Sequence, residues 1–132
     1  MSASWQVQQS LYTALASDST FMTKIGNRLF DEPRTDETYP YVTIGNMLEL
    51  RFNKLVGVGY EVTAIFAIYT KSGRLGFKVA KEILEDMNRV LNRKIFSMTS
   101  LKMVQCYYDS SDNERDEDKR IINARYLIIV EE

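Results

Sequence analysis

A run of alternating residues at positions 58–70 limits the folds open to this chain more than any other segment. One face of the run is apolar along its length, with Val58, Tyr60, Val62, Ala64, Phe66 and Ile68. Successive side chains of a β-strand point to opposite faces, so the pattern predicts a long strand. The other face begins with Glu61 and Thr63 and becomes apolar at Ile65 and Ala67. We therefore expect the middle of this strand to be covered on both faces.

A second strand is predicted to begin at a proline. Pro40 has no backbone N–H, and it biases Tyr39 towards an extended conformation. Residues 41–44, Tyr-Val-Thr-Ile, are strong strand formers, and Gly45 can end or bend the strand. Residues 46–57 mix apolar and charged side chains. This mixture predicts an extended hairpin arm or a partly ordered loop.

Helical spacing appears in three places. The clearest helix is predicted at residues 75–92, with a buried stripe formed by Ala80, Ile83, Leu84, Met87, Val90 and Leu91. An N-terminal helix is predicted after Ser2 or Ser4, either of which can cap it, and it buries Val7, Leu11, Ala14 and Leu15. A short helix between Asp18 and Gly26 follows, and residues 28–30 predict a brief extended piece.

Two strands are predicted near the end of the chain, at residues 101–108 and 120–130. The second alternates clearly, with one face formed by Ile122, Ala124, Tyr126, Ile128 and Val130. The acidic stretch at residues 109–118 lies between them and is interpreted as a long hairpin connection or a disordered tip. The order of elements predicts one α+β domain over residues 1–132. We expect two layers: a mainly antiparallel four-stranded sheet, with the N-terminal helix and one long helix packed on it.

The composition argues against several classes of function. The 132 residues contain no histidine and one cysteine, and the net charge is −1. A near-neutral general base, a Cys-rich zinc site and a field that attracts nucleic acid are therefore not expected. No apolar stretch reaches about eighteen residues, and the N-terminus has no basic and apolar leader pattern. We expect no membrane span, no signal peptide and a cytosolic setting.

The candidate chemical sites are weak. The acidic stretch lacks the central glycine and the ligand spacing of a calcium loop, so we expect no metal and no cofactor. Glu82, Glu85 and Asp86 are interpreted as a solvated helix face. Cys106 is predicted to be a buried, inert thiol, because no histidine is present to activate it. An enzyme built on lysine, tyrosine and carboxylates stays open as an alternative.

The layout resembles the tail completion proteins of long-tailed phages, a family that includes tail terminators and tail-to-head joining proteins. The resemblance covers nearly the whole chain. Its most family-like piece is Tyr39-Pro40-Tyr41-Val42-Thr43-Ile44-Gly45. Gly26-Asn27-Arg28-Leu29-Phe30 and the final strand, Ala124 to Val130, also match. Because none of these motifs is catalytic, the resemblance implies a structural virion protein and no enzyme.

The resemblance further implies a ring, usually a hexamer, at the head-proximal end of the tail tube. The ring stops tube polymerisation, contacts tail-tube and head-connector proteins, and lets DNA pass through its lumen without sequence-specific binding. The location implied is the virion tail, assembled in the host cytoplasm. A ring needs two complementary patches on each subunit, for which the candidates are Glu49, Arg51, Phe52 and Lys54 on the arm, and Asp112, Glu114, Arg115 and Asp116 in the acidic stretch. The alternative is a small monomeric or dimeric α+β module that binds a ligand or protein.

Overall fold

The computed structural model describes residues 2–32 and 37–132. Within these ranges the chain forms three helices and five strands. In chain order they are α1 (Ala3–Ala16), α2 (Ser19–Lys24), β1 (Leu29–Phe30), β2 (Tyr41–Asn53), β3 (Val58–Lys71), α3 (Lys78–Leu91), β4 (Lys102–Asp116) and β5 (Lys119–Glu131). The predicted α+β class is therefore confirmed, and β2 begins directly after Pro40.

The sheet has the strand order β1-β2-β3-β5-β4. The four long strands are antiparallel to their neighbours, but β1 runs parallel to β2. The predicted sheet had four strands, whereas the structure has a fifth, the short parallel strand β1 at one edge. The Arg28 guanidinium holds β1 in place, because it donates to the carbonyl oxygens of Pro40 (2.9 Å) and Tyr39 (3.2 Å).

Helices α1 and α3 pack on one face of the sheet. The largest fully buried side chains under them include Leu11, Leu15, Phe66, Ile83, Met87, Ile122 and Tyr126. The predicted apolar stripes of α1, α3, β3 and β5 all contribute to this core. The opposite face of the sheet, called here the open face, is different. Ala67 is buried there, but Ile65 is only half-buried, so the expectation that both faces of β3 are covered holds for only part of the strand.

The ends of α1 and α2 are capped by predicted residues, and the start of α3 differs from its predicted position. Ser2, not Ser4, caps α1, because its side chain accepts a hydrogen bond from the Trp5 N–H. At the end of α2 the Asn27 N–H donates to the Met22 carbonyl oxygen, and Gly26 has a φ of 59° that suits a left-handed cap. Helix α3 begins at Lys78, three residues later than predicted, because a turn with a positive φ at Gly76 precedes it.

The acidic stretch at 109–118 is ordered, so the prediction of a loop or a disordered tip was wrong. Strand β4 continues to Asp116 and pairs with β5 to the end, where a two-residue turn at Glu117 and Asp118 joins them. The reason is that β5 is held by its buried residues Ile122 and Ala124. Its free edge then supplies hydrogen-bond partners to a polar strand that buries little of its own surface.

Candidate assembly surfaces

The two β-hairpins place their turns at opposite ends of the sheet. Strands β3 and β5 pair along their whole length, from Gly59 opposite Glu131 to Lys71 opposite Lys119. The β2–β3 turn lies beyond the first of these pairs, and the β4–β5 turn lies beside the second. The molecule therefore has one hairpin tip at each end of the strand axis.

The β2–β3 tip is apolar. Leu55 is fully exposed (104%) and Val56 is 83% exposed, and we call these two residues the apolar tip. Beside them the Lys54 ammonium contacts the Glu131 carboxylate at 2.7 Å, which lowers the pKa of Glu131. Two adjacent aliphatic side chains without cover carry a hydrophobic cost that burial against a partner would remove.

The β4–β5 end is charged, and we call residues 109–118 the acidic hairpin. Asp112 accepts hydrogen bonds from the side chains of Arg125 and Asn123, and chiefly the Arg125 bond lowers its pKa. The Arg115 guanidinium lies 5.0 Å from the ring centroid of Phe77, a cation–π distance. Glu114 and Asp116 are exposed on the outer part of the hairpin.

The four arm candidates do not form one patch. Glu49 accepts a hydrogen bond from the Ser4 N–H at the start of α1 (2.8 Å), and Lys54 is paired as described above. Phe52 lies over Gly59 on the neighbouring strand, where a Cβ would come within 2.3 Å of its ring. Arg51 is exposed and adjoins Phe52 in a strand, so the two side chains point to opposite faces.

Two charged residues of α3 are structural, which corrects the interpretation of that face as wholly solvated. Asp86 contacts Lys24 at 2.8 Å, and Arg89 contacts Asp18 at 2.6 Å. Asp18 also accepts from the Phe21 N–H as the cap of α2. The Arg89 hydrogen bond is the largest cause of the lowered pKa of Asp18. These ion pairs hold α2 against α3.

The described residues offer little for catalysis. Cys106 is buried as predicted, and burial raises the pKa of its thiol to about 12. No group of three or more metal-ligating side chains occurs in residues 2–32 and 37–132. A groove of about 540 Å³ runs between α1 and residues 96–99. Its lining includes the exposed residues Gln9, Ser97 and Thr99, whereas ligand pockets enclose most of their ligand. No helix in this part of the chain is long and apolar enough to span a membrane.

Sequence reasoning named the arm as a candidate patch but did not single out its exposed leucines, and it missed an apolar surface at the opposite edge of the sheet. On β2, Leu48 and Leu50 are 54% and 51% exposed on the open face. At the β4 edge, Ile95, Val104 and Tyr107 line one groove and are all at least 41% exposed. The alternation of Leu48, Leu50 and Phe52 in the sequence was a usable signal for the first surface. The second depends on the path of residues 92–101 and had no local signal.

Comparison with known proteins agrees with the layout. The sequence model of a family described as "Tail completion protein gp17" matches residues 9–130. A chain in the solved structure titled "Virion of native gene transfer agent (GTA) particle" has the same fold, with a TM-score of 0.90 and 19% sequence identity. The match covers 99% of this chain and 98% of that chain. No curated protein sequence matches. The family match spans most of the molecule, and the chain therefore belongs to the tail completion protein family and is a structural component of the virion tail.

Proposed function

We propose that this chain forms a ring at the head-proximal end of a tail tube, where it ends tube polymerisation and joins the tail to the head connector. The observation that carries the proposal is the chemical difference between the two ends of the sheet. The apolar tip is at one end, and the acidic hairpin is at the other. A protein that must bind two different partners along one axis needs two such different surfaces.

The distance between the two ends supports separate partners. Strand β3 has 14 residues, and at about 3.3 Å per residue it separates the ends by roughly 45 Å. A partner whose surface lies across the strand axis can contact only one tip of a given subunit. We propose that residues 1–132 act as one tail completion domain, with one end directed at the tail-tube protein and the other at the head-connector protein. The fold serves as a scaffold, and DNA passes through the ring without sequence-specific contacts.

Paired substitutions at the two tips test this function. In one variant Leu55 and Val56 are both replaced by Asp, and in the other Glu114 and Asp116 are both replaced by Lys. All four side chains are exposed, so each substitution should change the free energy of unfolding by less than about 0.5 kcal/mol relative to the native chain. Tail tubes of the same particle are then mixed with each variant and imaged by negative stain, before and after connector-bearing heads are added.

The expected result is that each variant loses a different attachment. One variant should fail to cap the tubes, so that they keep growing, and the other should cap the tubes but leave the heads unjoined. The native chain should do both. If both variants cap tubes and join heads as the native chain does, the two ends are not the partner surfaces. If the native chain neither caps tubes nor joins heads, the proposed function itself is wrong.

A further inference from the structure

The sheet also has two edges, and they carry features that fit each other. The outer edge of β2 pairs with β1 only at Val42 and Thr43, so among the described residues the part from Asn46 to Asn53 has no strand on its outer side. We call Leu48, Glu49 and Leu50 the β2 edge surface. Leu48 and Leu50 point to the open face and Glu49 to the helix-covered face, so a neighbour that packs against the edge itself can contact all three. At the opposite edge we call Arg93, Ile95, Val104 and Tyr107 the β4 edge surface; these four residues line one groove of about 380 Å³.

The two edge surfaces lie at the same position along the strand axis, which we call the same height. Leu48 pairs with Thr63, Thr63 with Leu127, and Leu127 with Tyr107. Leu48 and Tyr107 are therefore opposite ends of one cross-strand row, and both point to the open face because paired residues share a face.

The next row carries complementary charges. Glu49 pairs with Val62, Val62 with Ile128, and Ile128 with Cys106. The Cys106 carbonyl oxygen accepts a hydrogen bond from the Arg93 N–H at 2.8 Å. The exposed Glu49, whose carboxylate also accepts from the Ser4 N–H, therefore ends this row at the β2 edge. Beside the other end of the row lies the exposed Arg93, which lines the groove with Val104 and Tyr107.

We propose that neighbouring copies of this chain pack side by side, with the β2 edge surface of one copy on the β4 edge surface of the next. Two different patches on opposite sides of a subunit generate a head-to-tail contact, which closes into a ring when the rotation permits. Because the patches share a height, the contact needs no shift along the strand axis. Leu48 and Leu50 enter the groove, and Glu49 pairs with Arg93 of the next copy. The inference rests on the proposed ring and names its lateral contact.

A competing contact would join the β2 edge to the acidic hairpin. Glu114 also points to the open face of β4, but its row runs through Ile121 and Tyr69 to Tyr41. The row of Glu114 crosses β3 at Tyr69, six residues from Thr63 in the row of Leu48, or about 20 Å along a strand. A contact between Leu48 and Glu114 would therefore displace each copy along the strand axis by about this distance. Such a displacement favours a helical assembly of subunits over a flat ring.

Cysteine cross-linking separates the two contacts. The variant with Leu48→Cys and Tyr107→Cys should give a ladder of oligomers with a short bis-maleimide at high protein concentration. The matched variant with Leu48→Cys and Glu114→Cys uses the same strand and face and should give only background. The native Cys106 is 1% exposed, and its thiol stays protonated at neutral pH because burial raises its pKa to about 12. It should therefore not react.

A charge exchange tests the ion pair. Glu49→Arg and Arg93→Glu alone should each weaken association about tenfold or more, because like charges then face each other. The variant that carries both changes restores opposite charges and should recover most of the loss. Val104→Glu should also weaken association, whereas Val79→Glu is the matched control: Val79 is 40% exposed on α3, and Val104 is 41% exposed. Melting temperatures confirm that each variant is folded.

The outcomes distinguish failure of the lateral contact from failure of the proposed function. Cross-linking through Glu114→Cys in place of Tyr107→Cys, or association that the single charge changes leave unaltered, overturns this lateral contact. In that case the native chain can still cap tubes and join heads, and the proposed function stands. A native chain that stays monomeric at high concentration and never binds tube ends overturns both.

Discussion

Replacement of Gln6 by alanine should destabilise the protein by disconnecting α1 from the segment that precedes β4. The Gln6 side chain is 2% exposed. Its amide nitrogen donates to the Ser100 hydroxyl at 2.9 Å, and its amide oxygen accepts from the N–H groups of Ser100 (3.0 Å) and Leu101 (3.3 Å). One side chain therefore satisfies polar groups 94 and 95 residues away in sequence.

The expected loss of stability depends on which of the polar groups left by Gln6 can form hydrogen bonds with water instead. Three hydrogen bonds at a net value of about 1 kcal/mol each would give a loss of about 3 kcal/mol. Ser100 is exposed, so its N–H and hydroxyl regain water, whereas the half-buried Leu101 N–H regains less. We therefore expect Gln6→Ala to lower the free energy of unfolding by about 2 kcal/mol. At about 2.1 cal/mol/K per residue for 132 residues, this loss corresponds to a melting temperature lower by about 7 °C.

Urea unfolding of Gln6→Ala and of Gln9→Ala measures the effect with a matched control. Gln9 is in the same helix but exposed, so its replacement should change stability by less than about 0.5 kcal/mol. Native-state hydrogen exchange should show faster exchange of the Leu101 amide in Gln6→Ala alone. Equal stabilities for the two variants, or an unchanged exchange rate at Leu101, would refute the idea that Gln6 holds α1 to the segment before β4.

Three further predictions concern buried or paired groups. Tyr126→Phe removes the hydrogen bond from its hydroxyl to the Asn88 side chain and should cost about 1 kcal/mol in urea unfolding; the effect should largely vanish in an Asn88→Ala background. The Arg89 hydrogen bond lowers the pKa of Asp18 in the folded protein. The stability that the ionised Asp18 contributes is therefore complete above its unfolded pKa of about 4 and is lost as the pH falls through the folded pKa. Asp18→Asn keeps a capping side chain but cannot ionise, so the free energy of unfolding should depend less on pH below about 5. A thiol reagent at pH 8 should modify Cys106 no faster than the protein unfolds, and rapid labelling of the native chain would contradict its burial.

Patterns that encode burial predicted most of the fold from the sequence. The period-2 runs in β3 and β5 and the stripe of α3 were readable because each side chain on those faces enters the same core. The start of β2 was readable for a different reason, since proline removes a backbone donor at a defined position. These signals are local, and they gave the elements with boundaries within a few residues.

The elements that were missed depend on partners distant in sequence. Residues 109–116 have no apolar period, and their strand state comes from β5, to which they are hydrogen-bonded. The extended piece at residues 28–30 was predicted, but its parallel pairing with β2 was not, because that pairing depends on Arg28 binding carbonyl groups at positions 39 and 40. The equal height of Leu48 and Tyr107 depends on three successive strand pairings. Sequence reasoning could name the candidate Glu49, but it could not place Arg93 beside the far end of the same cross-strand row.

The geometry of the sheet separates the contacts that such an assembly requires. In the proposed ring, contacts along the strand axis would fall to the two hairpin tips, which lie at opposite ends of the sheet. Contacts between neighbouring copies would fall to the two edges. The exposed apolar part of each edge surface is small, with two leucines on one edge and Ile95, Val104 and Tyr107 on the other, whereas a stable interface usually has about 20–30 residues a side. The lateral contact alone should therefore be weak. Several copies held by their tips on one tube end would be at a high effective concentration, which would strengthen the same contact without any new interaction. In the proposed ring, a weak edge would therefore make closure depend on the tube end.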